Sequence, residues 1–202
     1  MQVSRFRVPT LAVAVMAMAA CSKKDSSATD TTAASSTVTA DTSAMAASST
    51  NAGGSWSDAN ILALLDEANV ADSSEGAIAA TKGTSAAVRN FGKQMVADHH
   101  KMRVQGEALA KKLSLTPAPP ADDNMTSDAQ KEIDNLNSTA KGKDFDKAYI
   151  DGQVDDHKQV LALAVKAMGQ AQSTELKNLI QKATPTVQSH LDKAQSIQKN
   201  LK

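Results

Sequence analysis

Apolar residues recur three and four positions apart from residue 57 to the end of the chain, and this spacing restricts the fold more than any other feature. Such spacing places an apolar stripe along one face of an α-helix. No segment of useful length shows the period-two alternation of a half-buried strand. Aromatic residues make up only 2% of the chain, so the core must be built from small and aliphatic side chains, which suit closely packed helices. The sequence therefore predicts an all-α domain.

Breaks in the stripe divide this domain into four long helices. The first is predicted to begin at Ser57 or Asp58 and the third near Asp144. A short extra helix is predicted over residues 127–140, within the connection between the second and third long helices. Pro185 lies inside the fourth and is expected to kink it or split it in two. The breaks between the long helices fall at 82–85, 117–120 and 169–173. The predicted fold is an all-α four-helix bundle with one long connection.

The amino-terminal residues do not fit this pattern. Arg5 and Arg7 precede thirteen uncharged residues, 8–20, a run that suits a signal peptide and is too short to span a bilayer. The run ends Met-Ala-Ala-Cys at Cys21, the single cysteine, and resembles the lipobox of bacterial lipoproteins, where this thiol is lipidated and the chain is cut before it. The alternative is an ordinary signal cleavage site with an incidental cysteine. We expect a lipoprotein signal peptide over 1–20 and a lipid anchor at Cys21.

Residues 21–56 are predicted to form a flexible tether that leads to a helical domain over 57–202. Ser, Thr, Ala, Asp and Gly dominate the tether, which buries too little apolar surface to offset the entropy of ordering. The expected location is the cell envelope, in the periplasm. Ser22 after the cysteine resembles lipoproteins of the outer membrane if the source is Gram-negative. The lipid anchor makes the membrane the expected partner, and the balance of 22 basic and 22 acidic residues argues against nucleic acid.

Histidines occupy core positions on three of the predicted stripes. His99, His157 and His190 each stand where the spacing calls for an apolar residue, near the middle of a different helix. At roughly 1.5 Å per residue, His157 and His190 lie within about 5 Å of the same level. On the first stripe Asp72 is offset from His99 by about 7 to 8 Å, and Glu75 lies farther away. A common site is therefore expected for the three histidines, with Asp72 as its acidic neighbour.

Two interpretations of these histidines remain open. In one they bind a divalent transition metal, Zn, Cu or Fe, through neutral imidazoles, with Asp72 as a fourth ligand. In the other they form a structural polar cluster, hydrogen-bonded to the acid or to backbone carbonyls. His100 and the aspartates next to the histidines in sequence are expected on solvated faces, with the alternative that an aspartate orients a ligand. These aspartates are Asp98, Asp155 and Asp156.

The run from Val88 to His99 resembles the family called domain of unknown function 4142. Residues 78–83 before it, 145–149 with His157, and Pro185 with His190 match earlier and later segments of the same family. The resemblance spans residues 57–200 and implies an exported, ferritin-like bundle without an established activity. The family usually carries Glu where this chain has Asp72.

Several functions are not supported by the sequence. Valine stands three residues before each core histidine, at positions 96, 154 and 187, so the Glu-x-x-His pairs of a conventional di-iron site are missing. No Cys-x-x-Cys-His motif for haem attachment and no nucleophile or phosphate loop is found, so an enzyme is not expected. The first hypothesis is an envelope-anchored, non-enzymatic domain that binds a metal ion or small ligand at the histidines. The alternative is a structural or interaction protein of the envelope, with a role in stress as one option and purely structural core histidines.

Overall fold

The computed structural model describes residues 55–201, which fold as helices without a strand. The predicted signal peptide, Cys21 and the tether up to residue 54 lie outside the described residues. Trp56, predicted as the last residue of the tether, packs against the helical core, and its backbone N–H donates to Gln170 Oε1 at 2.5 Å. The helices of this part of the chain are α1 (Asp58–Lys82), α2 (Ala86–Lys112), α3 (Met125–Ser138), α4 (Lys143–Gln170) and α5 (Thr174–Asn200).

The predicted all-α bundle is confirmed, with four long helices and a short fifth in the connection between α2 and α4. Short turns join α1 to α2 and α4 to α5, so the bundle consists of two helical hairpins. The prediction that Pro185 could split the last helix is wrong, because α5 continues through it from Thr174 to Asn200. Pro185 is exposed, so water can reach the carbonyl that its missing N–H leaves without a donor.

Two buried aspartates accept hydrogen bonds from the turns at opposite ends of the bundle. Asp58, at the start of α1, accepts hydrogen bonds of 2.7 and 2.9 Å from the backbone N–H groups of residues 172 and 173 in the α4–α5 turn. Asp146, at the start of α4, accepts bonds of 2.8 and 2.7 Å from the N–H groups of residues 84 and 85 in the α1–α2 turn. Each carboxylate thus satisfies backbone donors near a helix start of the other hairpin. Together they fix the axial register of the two hairpins.

A polar layer separates the core into two apolar clusters. One cluster lies on the side of the α1–α2 turn and contains Phe91, Tyr149 and Leu136, whereas the other lies toward the α4–α5 turn and contains Leu62 and Ile180. Between them every long helix buries polar side chains at mid-length, and these residues are Asp72, Glu75, His99, Gln153, His157 and His190. Among the helices of residues 55–201, none carries an apolar stretch long enough to span a bilayer. The polar layer is where a candidate site must be sought.

Gly76 of α1 and Gly92 of α2 face each other where the two helices cross. A Cβ built on Gly92 would lie 2.5 Å from the Gly76 carbonyl oxygen, and one on Gly76 would lie 2.8 Å from the Gly92 carbonyl oxygen. The helix backbones approach this closely because neither residue has a side chain. The close approach brings the polar residues of α1 up against His99 of α2.

Replacing Gly92 by alanine is expected to destabilise the domain by about 1–3 kcal/mol, because the added methyl group overpacks a backbone contact. Urea unfolding followed by circular dichroism measures the loss. Gly106→Ala is the matched control in the same helix, since a methyl group added there would meet nothing within 4 Å. That control should be neutral or more stable by about 0.5–1 kcal/mol, because alanine favours helix. Equal unfolding midpoints for the two variants would contradict the close contact.

Candidate metal centre

The structure brings the three predicted histidines together in the polar layer. His99 of α2, His157 of α4 and His190 of α5 form a triangle with ring centroids 5.3 to 5.7 Å apart. One ring nitrogen from each lies within 4.8 Å of the others. All three residues are at most 1% exposed. We refer to these residues as the histidine triad.

Each imidazole of the triad has one nitrogen engaged by an oxygen. An imidazole nitrogen facing an oxygen acceptor without a hydrogen must carry the proton, so these contacts define the tautomer of all three rings. The donors and acceptors are His99 Nδ1 to Asn69 Oδ1 at 2.8 Å, His157 Nδ1 to the Gln153 carbonyl at 2.9 Å, and His190 Nε2 to Asp98 Oδ2 at 2.9 Å.

The acceptor for His99 is itself held in one orientation. Asn69 Nδ2 donates to the Leu65 carbonyl oxygen at 2.6 Å, so the amide oxygen must face the ring. Such supporting hydrogen bonds orient metal-binding histidines and raise the basicity of the opposite nitrogen. Hydrogen-bond acceptors on α1, α2 and α4 therefore orient the three imidazoles of the triad.

The opposite nitrogens of the triad have no hydrogen-bond partner. They are His99 Nε2, His157 Nε2 and His190 Nδ1, all buried. With the proton on the other nitrogen, each of them carries a free lone pair. Leaving a buried polar group unpaired costs about 1–3 kcal/mol, and three such groups on neighbouring rings is an arrangement that a purely structural cluster would avoid.

The histidines of the triad are neutral at neutral pH. Burial, together with the repulsion that a charge on His157 or His190 would add, lowers the pKa of His99 to about 2. Burial also lowers the pKa of His157 to about 4. For His190 burial lowers the pKa, although the hydrogen bond to Asp98 opposes this shift. Neutral imidazole is the form that binds metal ions.

Asp72 is buried beside the triad and contacts the protonated edges of two rings. Its Oδ2 lies 3.7 Å from His99 Nδ1, and its Oδ1 lies 3.8 Å from His157 Nδ1. These nitrogens are not the ones that lack partners. The structure thus places Asp72 next to the triad, and direct ligation by Asp72 to an ion held there stays a prediction.

Asp72 also belongs to a cluster of carboxylates with Glu75 and Asp156, here called the acidic cluster. One carboxylate oxygen from each lies within 4.8 Å of the others. Gln153 Nε2 donates to Asp72 Oδ1 at 3.1 Å and to Glu75 Oε2 at 2.9 Å. Burial raises the pKa of Asp72 to about 7. Burial and neighbouring carboxylates together raise the pKa of Glu75 to about 9 and that of Asp156 to about 7.

Three acidic residues have surroundings that the spacing did not show. Glu75, expected farther from the histidines than Asp72, is 2% exposed and lies in the acidic cluster. Asp156, expected on a solvated face, is half-buried there because α3 covers this side of α4 and brings Glu132 close to Gly152. Asp98 orients His190, which was the alternative considered for it. His100 and Asp155 are exposed, as expected.

A cavity of about 290 Å³ adjoins the site from the side of the second apolar cluster. Asn69, Asp72 and His99 line it at the polar layer, and Arg103 and Asp66, which form an ion pair of 2.8 Å, line it near the surface. Its remaining walls are mostly aliphatic. The cavity gives water and small solutes a path toward the triad.

Comparisons with known proteins agree on the fold. A crystal structure of a DUF305 fragment from Deinococcus radiodurans superposes with a TM-score of 0.63 at 10% identity, covering 71% of this chain and 95% of that one. At this identity the likeness concerns the fold alone. The comparison with curated proteins found no match. The family model described as domain of unknown function (DUF4142) matches residues 40–197, which include every residue of the triad and of the acidic cluster. The chain therefore belongs to the DUF4142 family.

Proposed function

We propose that this domain is a non-enzymatic binder of a divalent transition metal ion, Zn²⁺ or Cu²⁺, held by the histidine triad. The observation that carries the proposal is the set of three buried imidazole nitrogens that lack partners, each on a ring whose other nitrogen is fixed by an oxygen acceptor. Imidazole ligands suit both ions, and no thiolate is needed.

The distances between ring nitrogens of the triad are close to the distances between the ligand atoms of a bound ion. Three nitrogens at about 2.05 Å from a tetrahedral Zn²⁺ are about 3.3 Å apart. One ring nitrogen from each histidine of the triad lies within 4.8 Å of the others, so shifts of about 1 Å bring such a set to this spacing. The fourth position is then left to water, which the cavity can supply, or to Asp72.

Metal content after loading tests the proposal. The protein is loaded with Zn²⁺ or Cu²⁺, dialysed, and analysed by elemental mass spectrometry. One equivalent is expected for the wild type. His190→Leu should weaken binding by about a hundredfold or more, because a structural Zn²⁺ site contributes about 3 kcal/mol per ligand.

The exposed His100 supplies the matched control for this experiment. His100→Leu should bind as the wild type does. A wild type that retains clearly less than one equivalent of either metal would contradict the proposal, as would equal losses in the two variants. The competing hypothesis, a structural polar cluster, predicts no metal in any of them.

The proposal includes attachment to the cell envelope, which rests on Cys21 following a signal-like segment. Cys21→Ser is expected to move the protein from the detergent-extracted membrane fraction to the soluble fraction of the envelope, because serine lacks the thiol that would carry the lipid and without acyl chains the anchor is lost. Fractionation followed by immunoblotting measures the change. Ser26→Ala, in the same segment, should leave the protein with the membrane. A wild type found in the soluble fraction of the envelope would contradict the lipid anchor.

A further inference from the structure

The acidic cluster is not explained by metal binding at the histidine triad. Asp72 and Glu75 are each 2% exposed, and Asp156 is half-buried. Within residues 55–201 no lysine or arginine forms an ion pair with any of them, and the histidines beside Asp72, His99 and His157, are neutral. Three carboxylates in contact at a buried position require a positive charge or bound protons.

Neutral oxygen donors without partners surround the same point. Gln153 is fully buried, and its Oε1 has no hydrogen-bond partner although its Nε2 bridges Asp72 and Glu75. The hydroxyl of Tyr149, 1% exposed, also lacks a partner and lies close enough to all three carboxylates to feel their charge. Buried unpaired oxygens next to buried carboxylates form the donor set that hard divalent cations prefer.

We propose that Asp72, Glu75 and Asp156 bind a second divalent cation, Mn²⁺ or Mg²⁺, beside the histidine triad. Rotation of the Gln153 amide brings Oε1 toward this cation, and the Tyr149 hydroxyl is a further neutral donor. The two sites differ in ligand chemistry, since the triad offers only nitrogen and the acidic cluster only oxygen. Asp72 lies between the two sites. Its carboxylate would bind the cation on one side and faces the N–H groups of two histidines on the other.

Asp156 is the least buried residue of the acidic cluster, although its Oδ2 is buried. Glu132 of α3, which is also partly exposed, lies beside it, with Oε1 3.3 Å from the position that a Cβ on Gly152 would take. The missing side chain of Gly152 leaves room for this carboxylate. The negative charges of these two partly exposed acids raise the local concentration of cations.

Titration of the full chain with Mn²⁺, followed by the loss of the free-ion electron paramagnetic resonance signal, tests the second site. The protein is first loaded with one equivalent of Zn²⁺ so that the triad is filled. Wild type is expected to bind one Mn²⁺. Asp156→Asn should lower the affinity by about tenfold or more, because the number of ligand charges sets the affinity for hard cations. Asp155→Asn, an exposed neighbour on the same helix, is the control and should bind normally.

His190→Leu separates this proposal from the first one, since His190 makes no contact with the carboxylates of the cluster. It should lose Zn²⁺ at the triad and still bind Mn²⁺. Glu75→Gln, checked for folding by circular dichroism, should lose Mn²⁺ and keep Zn²⁺. No uptake of Mn²⁺ by the wild type would mean that protons alone neutralise the cluster. That result, or equal affinity in Asp156→Asn and Asp155→Asn, would overturn the second site.

Discussion

Saturation with Zn²⁺ is expected to raise the unfolding temperature of the domain by about 12 °C. An ion that binds only the folded state at a thousandfold excess over its dissociation constant stabilises that state by about 4 kcal/mol. For a domain of this size each kcal/mol raises the unfolding temperature by about 3 °C. The effect is large because the three ligands come from three different helices, so the unfolded chain cannot present them together. Differential scanning calorimetry with and without Zn²⁺ measures the shift.

Two variants make this result specific to the triad. In His190→Leu the Zn²⁺-dependent shift should vanish, while the metal-free protein should unfold near the wild-type temperature or above it, because an unpaired buried nitrogen has been removed. His100→Leu should keep the full shift. A shift that persists in His190→Leu would place the stabilising ion elsewhere.

The second large effect concerns pH in the metal-free protein. Burial and neighbouring carboxylates raise the pKa of Glu75 from 4.5 to about 9. Between these two values the folded state holds a proton that the unfolded state has lost, so stability falls as the pH rises. From pH 5 to pH 7 this loss amounts to on the order of 3 kcal/mol. Glu75→Gln cannot ionise and should escape it.

The comparison between wild type and Glu75→Gln isolates this carboxylate. The histidines of the triad have lowered pKa values, so they act in the opposite direction and destabilise the folded state as the pH falls below about 6.5. Both proteins retain them, and their contribution cancels. Urea unfolding at pH 5 and pH 7 in the presence of a chelator measures the difference. The exposed Glu107→Gln should follow the wild type, and a Glu75→Gln curve parallel to it would contradict the raised pKa.

Helical spacing was sufficient to predict the bundle and the meeting of the histidines. A stripe of period 3.6 specifies which face of each helix is buried, and counting from the turns gives the height of each residue. His99, His157 and His190 were therefore expected at one level, and the ring centroids lie at most 5.7 Å apart. The predicted short helix over 127–140 is displaced by only two residues, to Met125–Ser138.

The residues around the triad could not be predicted in the same way, because their roles depend on neighbouring helices. Asp98 faces His190 across the α2–α5 contact, and Asp156 is covered by α3, whose position the long connection leaves undetermined in the sequence. Glu75 is linked to Asp72 by the amide of Gln153 on α4, a contact between helices that counting along α1 could not show. The spacing of Asn69 and Asp72 on the first stripe was the available signal for a polar patch on α1.

The three imidazoles of the triad come from both helical hairpins. The hairpin of α1 and α2 supplies one imidazole, and the hairpin of α4 and α5 supplies two. Neither half alone offers three nitrogens, so an ion bound to all three connects the two halves. Occupancy by the ion would then hold the hairpins together, and the bundle would open less often with the ion bound than without it.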